Sequence, residues 1–148
     1  MLLYPEDTAG GLMTLDVTSF PDSQTVADSI AEISNRQGRA SDISRVYVVG
    51  ADNSLVGSLS LSELMFAPPY AMLREALDGE SVAVNWDDSY ENCARSMAEH
   101  DQASLPVIDD QGVLIGAIAT EDMGRVAEMR AAQDVVKLFG LGGEDQAL

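Results

Sequence analysis

The strongest constraint on the fold is a duplication. Leu105-Pro-Val-Ile-Asp-Asp-Gln-Gly-Val-Leu-Ile-Gly-Ala-Ile-Ala-Thr-Glu-Asp122 lies, 59 residues on and without a gap, over Val46-Tyr-Val-Val-Gly-Ala-Asp-Asn-Ser-Leu-Val-Gly-Ser-Leu-Ser-Leu-Ser-Glu63. Val48 falls on Val107, Leu55 on Leu114, Gly57 on Gly116 and Glu63 on Asp122. Each copy has a short apolar run of strand length and a second apolar run. Turn chemistry separates them, in the second copy Asp109-Asp110-Gln111-Gly112. Each copy closes on acidic residues that suit a helix N-terminus. A fixed internal period means a repeated supersecondary unit. Two copies predict two similar halves packed on each other, not a solenoid.

At 148 residues the chain is one domain, or two small ones sharing a core. No run approaches the roughly 20 apolar residues of a membrane span. The first residues, Met1 to Asp7, lack the basic and apolar regions of a secretory leader. There are 25 acidic residues against 8 basic, a net charge of −17. Such a chain repels nucleic acid and anionic membranes and attracts cations or basic partners. The plainer reading of the same charge is solubility. A lone Cys93 forms no internal disulfide, and with a lone His100 it cannot build a zinc site. No nucleophile–base pair or phosphate loop is visible, so no enzyme is expected.

In chain order, residues 1–14 read as a linker outside the core, with Pro5 and Gly10-Gly11. Val17 to Phe20 is a short strand candidate. A helix follows, capped by Ser23 or Thr25, with Val26, Ile30 and Ile33 at i, i+4, i+7. After the first motif copy, a helix from Ser62 ends before Pro68-Pro69. Met72, Leu73, Ala76 and Leu77 have helical spacing, and Gly79 can stop that helix. Ser81 to Val84 is a strand, and Tyr90, Cys93, Ala94 and Met97 form the stripe matching the Val26 helix. A helix from Asp122 runs on past Arg130. Val135 to Phe139 is an apolar cluster with no obvious core to join, and a glycine-rich acidic tail closes the chain.

The β-α-β-β-α order, present twice, resembles a pair of CBS domains, and the two motifs at 48–57 and 107–116 carry that resemblance. Tyr4-Pro-Glu-Asp-Thr-Ala-Gly-Gly-Leu-Met-Thr14 narrows it, being similar to the segment that leads into the CBS pair of MgtE-type magnesium transporters. The implied fold class is α/β (α+β), two β-α-β-β-α repeats in a pseudo-twofold pair with a C-terminal connecting helix. The divisions are a linker over 1–14, a first CBS domain over 15–69, a second over 70–130, and a connecting-helix start and tail over 131–148. The resemblance implies the cytoplasmic domain of an inner (plasma) membrane transporter. It implies a homodimer whose N-terminal and transmembrane domains lie outside this chain. It also implies Mg2+ sensing that gates the pore by a dimer rearrangement.

Position by position, the resemblance gives Glu91, Asp101, Asp122 and Asp134 as Mg2+ ligands; each is otherwise an ordinary surface carboxylate or helix cap. Arg125, Arg130 and Gln133 stand where the family can place acids, which thins the sites on the connecting helix. Adenine nucleotides, ATP or AMP, are the second choice of ligand. Their pattern is a glycine, a hydroxyl three residues on and an acid three further. The first copy offers Gly57, Ser60 and Glu63; the second offers Gly116, Ala119 and Asp122, without the hydroxyl.

Overall fold

The computed structural model describes residues 4–5, 7–36, 43, 45–77, 82–100, 104–119, 121, 123 and 132. Its elements are α1 (Ala9–Leu12), β1 (Ser19–Pro21), α2 (Val26–Ser34), β2 (Val46–Val49), β3 (Leu55–Leu59), α3 (Leu61–Phe66), α4 (Leu73–Ala76), β4 (Val84–Asn85), α5 (Tyr90–His100), β5 (Ser104–Ile108) and β6 (Leu114–Ala119). They form two three-stranded sheets, ordered β1-β2-β3 and β4-β5-β6. In each sheet the first pair is parallel and the second antiparallel. This is the mixed α/β architecture that the duplication predicts.

The halves agree in register. Phe20, Val48 and Gly57 lie side by side across the first sheet, and Val84, Val107 and Gly116 across the second. Each hairpin carries an irregularity at the same place, between Val48 and Val49 and between Val107 and Ile108. The central strands β2 and β5 are buried along almost their whole length, so neither of their faces meets solvent. That explains why both read as unbroken apolar runs rather than alternating ones.

Local chemistry sets the ends of the elements. Thr25 caps α2, its hydroxyl accepting from the Asp28 N–H at 3.1 Å. The apolar stripe of α2 puts Val26 and Ile33 in the first core, and that of α5 puts Cys93 and Met97 in the second. The first strand is Ser19–Pro21, one to two residues later than its composition suggests. Pro21 is tolerated because β1 is an edge strand. The expected strand over Ser81 to Val84 is only Val84–Asn85, with Ser81 outside the described residues. The helix expected from Ser62 begins at Leu61, since Ser60 caps it. The expected helix at 70–79 is one turn, Leu73–Ala76. Glu121 and Met123 are helical, as the second motif's acidic end requires, while Gly79, Arg125, Arg130, Gln133 and Val135 to Phe139 lie outside the described residues.

The linker reading of residues 1–14 is corrected. Ala9 has no exposed surface and belongs to the second half's core, with Val84, Cys93, Leu105, Val107, Ile118 and Met123. The small Ala9 is buried here, and Gly10 leaves room for Tyr4, whose Cγ would lie 2.5 Å from a Cβ at that position. Leu73 of α4 sits in the first half's core with Phe20, Val26 and Leu64. Ala9 thus packs in a core far from it in sequence, and Leu73 in the core of the half that immediately precedes it. Divisions drawn at residues 15 and 70 follow the sequence; the packing crosses both.

Candidate functional site

The two halves meet along a seam built from the same residues of each copy. The Leu55 N–H donates to the Gly112 carbonyl at 3.0 Å, and the Leu114 N–H donates to the Asn53 carbonyl at 3.1 Å. Under the 59-residue repeat these are one interaction made twice, Leu55 matching Leu114 and Asn53 matching Gly112. The turns arrive there because both turn residues adopt the left-handed region, Asn53 at φ 62° and Gly112 at φ 85°. Glycine and asparagine are the residues that tolerate it. Asp109 holds the second turn, its Oδ1 accepting from the Gln111 and Val113 N–H groups at 2.8 and 3.0 Å.

Deeper in the seam the Tyr47 hydroxyl of β2 hydrogen-bonds the Ser104 hydroxyl of β5. Both residues are buried. Burial pushes the Tyr47 pKa up, while the Ser104 bond and the Arg45 charge pull it back. A tyrosine in a strand buried on both faces demands such a partner. The periodicity argument treats this position only as part of an apolar run, and so misses it.

The candidate nucleotide residues lie at the β3–α3 junction. The Ser60 Oγ accepts from the Glu63 N–H at 3.1 Å, and the Glu63 Oε1 accepts from the Ser60 N–H at 2.8 Å. This reciprocal capping box satisfies two of the donors that a helix start leaves open. Arg45 approaches Glu63 at 3.7 Å and donates from Nε to the Ser58 Oγ at 3.0 Å. Ser60 and Glu63 are therefore brought together, with helix formation sufficient to explain both. Arg45 is the cation that sequence reasoning overlooks; it stands just ahead of β2, and only the fold shows that it faces β3. In the second half the matching Ala119 ends β6 without a hydroxyl.

The proposed metal ligands are distributed differently. Glu91 is exposed in the first turn of α5. Asp101, Asp122 and Asp134 lie outside the described residues. Among the described residues no group of three or more His, Cys, Asp or Glu side chains is placed to hold a metal ion. Cys93 is enclosed in the second core, where burial and the Asp88 charge push its thiol up to about 11. A thiol so placed is a poor nucleophile.

The CBS domain family model matches residues 9–78 and again 81–126. The chain is 36% identical over 135 residues to the magnesium transporter MgtE of Thermus thermophilus, covering 91% of this chain and 30% of that protein. It is 30% identical over 145 residues to the magnesium transporter MgtE of Enterococcus faecalis, covering 98% of this chain and 32% of that protein. Among solved structures it is similar to the soluble part of a magnesium transporter, with TM-score 0.81, 30% identity, and coverage of 88% of this chain and 51% of that one. It is also similar to the cytosolic domain of the Mg2+ channel MgtE in complex with ATP, with TM-score 0.76, 34% identity, and coverage of 83% and 50%. The chain thus spans about a third of the length of these curated relatives. Among the described residues no helix is long and apolar enough to cross a membrane.

Proposed function

The chain belongs to the CBS domain family, and on that premise we propose that it is the cytosolic regulatory CBS pair of an MgtE-type magnesium transporter. Its role is to respond to Mg2+ and bias the pore of the full protein through a rearrangement of a homodimer. The observation that carries this reading is the similarity to MgtE of Thermus thermophilus, 36% identity over 91% of the chain. The charge of −17 gives it a physical basis. Facing carboxylates repel, and a divalent ion between them turns repulsion into attraction. Magnesium keeps much of its water and suits loosely placed acids better than a closed cage. Among the described residues Glu91 is the one proposed ligand with a position, so the ion is proposed to draw on Asp101, Asp122, Asp134 or a neighbouring domain as well.

An exposed apolar surface supports a homodimer. Met65, Phe66 and Tyr70 are 71%, 90% and 83% exposed. In the sequence, the second copy has Gly124 and Arg125 where the first has Met65 and Phe66. We read these side chains as the part of the surface that meets a second copy of the chain.

A second reading has one observation of its own, the similarity to a solved MgtE cytosolic domain in complex with ATP. Ser60 and Glu63 are then the residues that meet the nucleotide, at the expense of the capping box. One experiment separates the readings. Thermal melts and sedimentation of the full chain are compared in millimolar Mg2+, in a monovalent salt of equal ionic strength, and in ATP with and without Mg2+. The magnesium reading expects a higher Tm and a larger dimer fraction in Mg2+ alone. No difference from the salt control sinks it for this chain, and a response to ATP alone transfers support to the nucleotide reading.

A further inference from the structure

The segment before the first sheet is bonded to the far half of the molecule. The Ala9 N–H donates to the Asp88 carbonyl and the Gly10 N–H to the Trp86 carbonyl, both at 2.8 Å. The Tyr90 N–H, at the start of α5, donates back to the Asp7 carbonyl at 3.0 Å. Thr14 and Ala117 exchange N–H and carbonyl at 2.8 and 3.0 Å, which adds the segment to β6. The ring of Tyr4 lies 5.4 Å from that of Trp86. Residues 4–5 and 7–14 therefore cross the second half as a strap.

The first half holds α4 by the same bonds. The Leu73 N–H donates to the Gln24 carbonyl at 2.8 Å, Arg74 to Asp22 at 3.1 Å, and Val26 to Ala71 at 2.9 Å. The two motif glycines are part of this arrangement. A Cβ at Gly116 would lie 2.6 Å from the Met13 Sδ and 2.8 Å from the Thr14 carbonyl oxygen. A Cβ at Gly57 would lie 2.9 Å from a methyl of Leu77. The pattern Gly-x-x-hydroxyl-x-x-acid thus begins with a glycine that makes room for a strap, whatever the later residues bind.

One difference separates the straps. In the first half α4 follows α3 closely, so its return is a local loop. In the second half the strap lies far ahead of that half in sequence, and shares one core with Met123, just after β6. We propose that residues 7–14 are a mechanical link to Met123 through the second half's core, leaving the first half aside. Displacing the strap then loosens Met123 through the core residues that the two share. The proposal goes beyond the magnesium reading and holds whether or not an ion binds.

The test is hydrogen exchange of the full chain without magnesium, in Gly116→Ala, Met13→Ala and, as the matched control, Gly57→Ala. In Gly116→Ala the backbone oxygen of Thr14 must move. Exchange is expected to rise about tenfold or more at Ala9, Gly10, Ala117 and Met123, while Val26, Leu73 and Arg74 stay within about twofold. Gly57→Ala, which meets only a flexible leucine tip, is expected to act on the Val26, Leu73 and Arg74 amides and to spare Met123. Met13→Ala removes the strap's contact without adding a clash, and decides the matter if Gly116→Ala does not fold. Equal loosening of both halves in Met13→Ala overturns the proposal, as does a freed strap with Met123 unchanged.

Discussion

The hydrogen bond between Tyr47 and Ser104 is the sharpest probe of how the halves are joined. Tyr47→Phe leaves the Ser104 hydroxyl buried without its partner, since Ser104 is only 3% exposed. An unsatisfied buried hydroxyl costs about 1–3 kcal/mol. Ser104→Ala leaves the Tyr47 hydroxyl in the same position, at a similar cost. If the two side chains were independent, the double variant would cost roughly 2–6 kcal/mol, the sum of the singles. They are not independent, because each penalty arises from the group that the other substitution removes. Tyr47→Phe/Ser104→Ala is therefore expected to cost about 1 kcal/mol, with a coupling of roughly 1–2 kcal/mol or more.

Urea unfolding of the four proteins at pH 7 measures this. A domain of ordinary stability holds about 5–15 kcal/mol in total, so each single shift is well resolved. The m-value adds a second readout. If the seam keeps the halves in one cooperative unit, m stays constant across the set; a smaller m in the singles means the halves unfold separately. Additive costs, or a double variant worse than either single, would refute the reasoning that the penalties come from unpaired buried hydroxyls.

Two further outcomes follow from the same structure. The Cys93 pKa rises from an ordinary 9.0 to about 11, so the folded chain keeps a proton that the unfolded chain gives up. Stability from this group is complete below pH 9 and is lost as pH climbs toward 11; the urea midpoint of the wild-type chain is expected to fall more between pH 8 and 10.5 than that of Cys93→Ala. At the turns, Gly112→Ala is expected to cost about 1–2 kcal/mol, as a left-handed position does for residues with a Cβ, while Asn53→Gly is expected to be nearly neutral in the same urea assay.

The sheets were legible because they rest on a repeat. Val48, Leu55 and Gly57 recur as Val107, Leu114 and Gly116, and any fold that uses one copy must use the other alike. The helix stripes at Val26 to Ile33 and Tyr90 to Met97 were legible for the ordinary reason that one face is buried. The strap was not. Ala9-Gly-Gly-Leu12 has no periodicity to read, and its burial comes from a sheet far along the chain. The Tyr47–Ser104 bond was hidden because it joins single residues of different copies, and the repeat aligns Tyr47 with Pro106 instead. Ser60 and Glu63 were found by their spacing, but that spacing suits a capping box as well as a nucleotide.

That double meaning applies to the acidic excess too. A net charge of −17 invites the view that every carboxylate is available to a cation. Several are committed to the backbone instead. Glu63 and Glu75 accept from the N–H groups of Ser60 and Met72 at 2.8 and 2.9 Å. Asp88 accepts from Asn85 at 2.9 Å, and Asp109 accepts from two turn amides. A carboxylate that turns to bind an ion gives up such bonds, and charge-assisted hydrogen bonds of this type are worth about 1.5–3 kcal/mol each. Weak cation sites on those residues would be offset by the loss. Acids that cap no helix and hold no turn are therefore the better ground for magnesium, and net charge alone overstates how many there are.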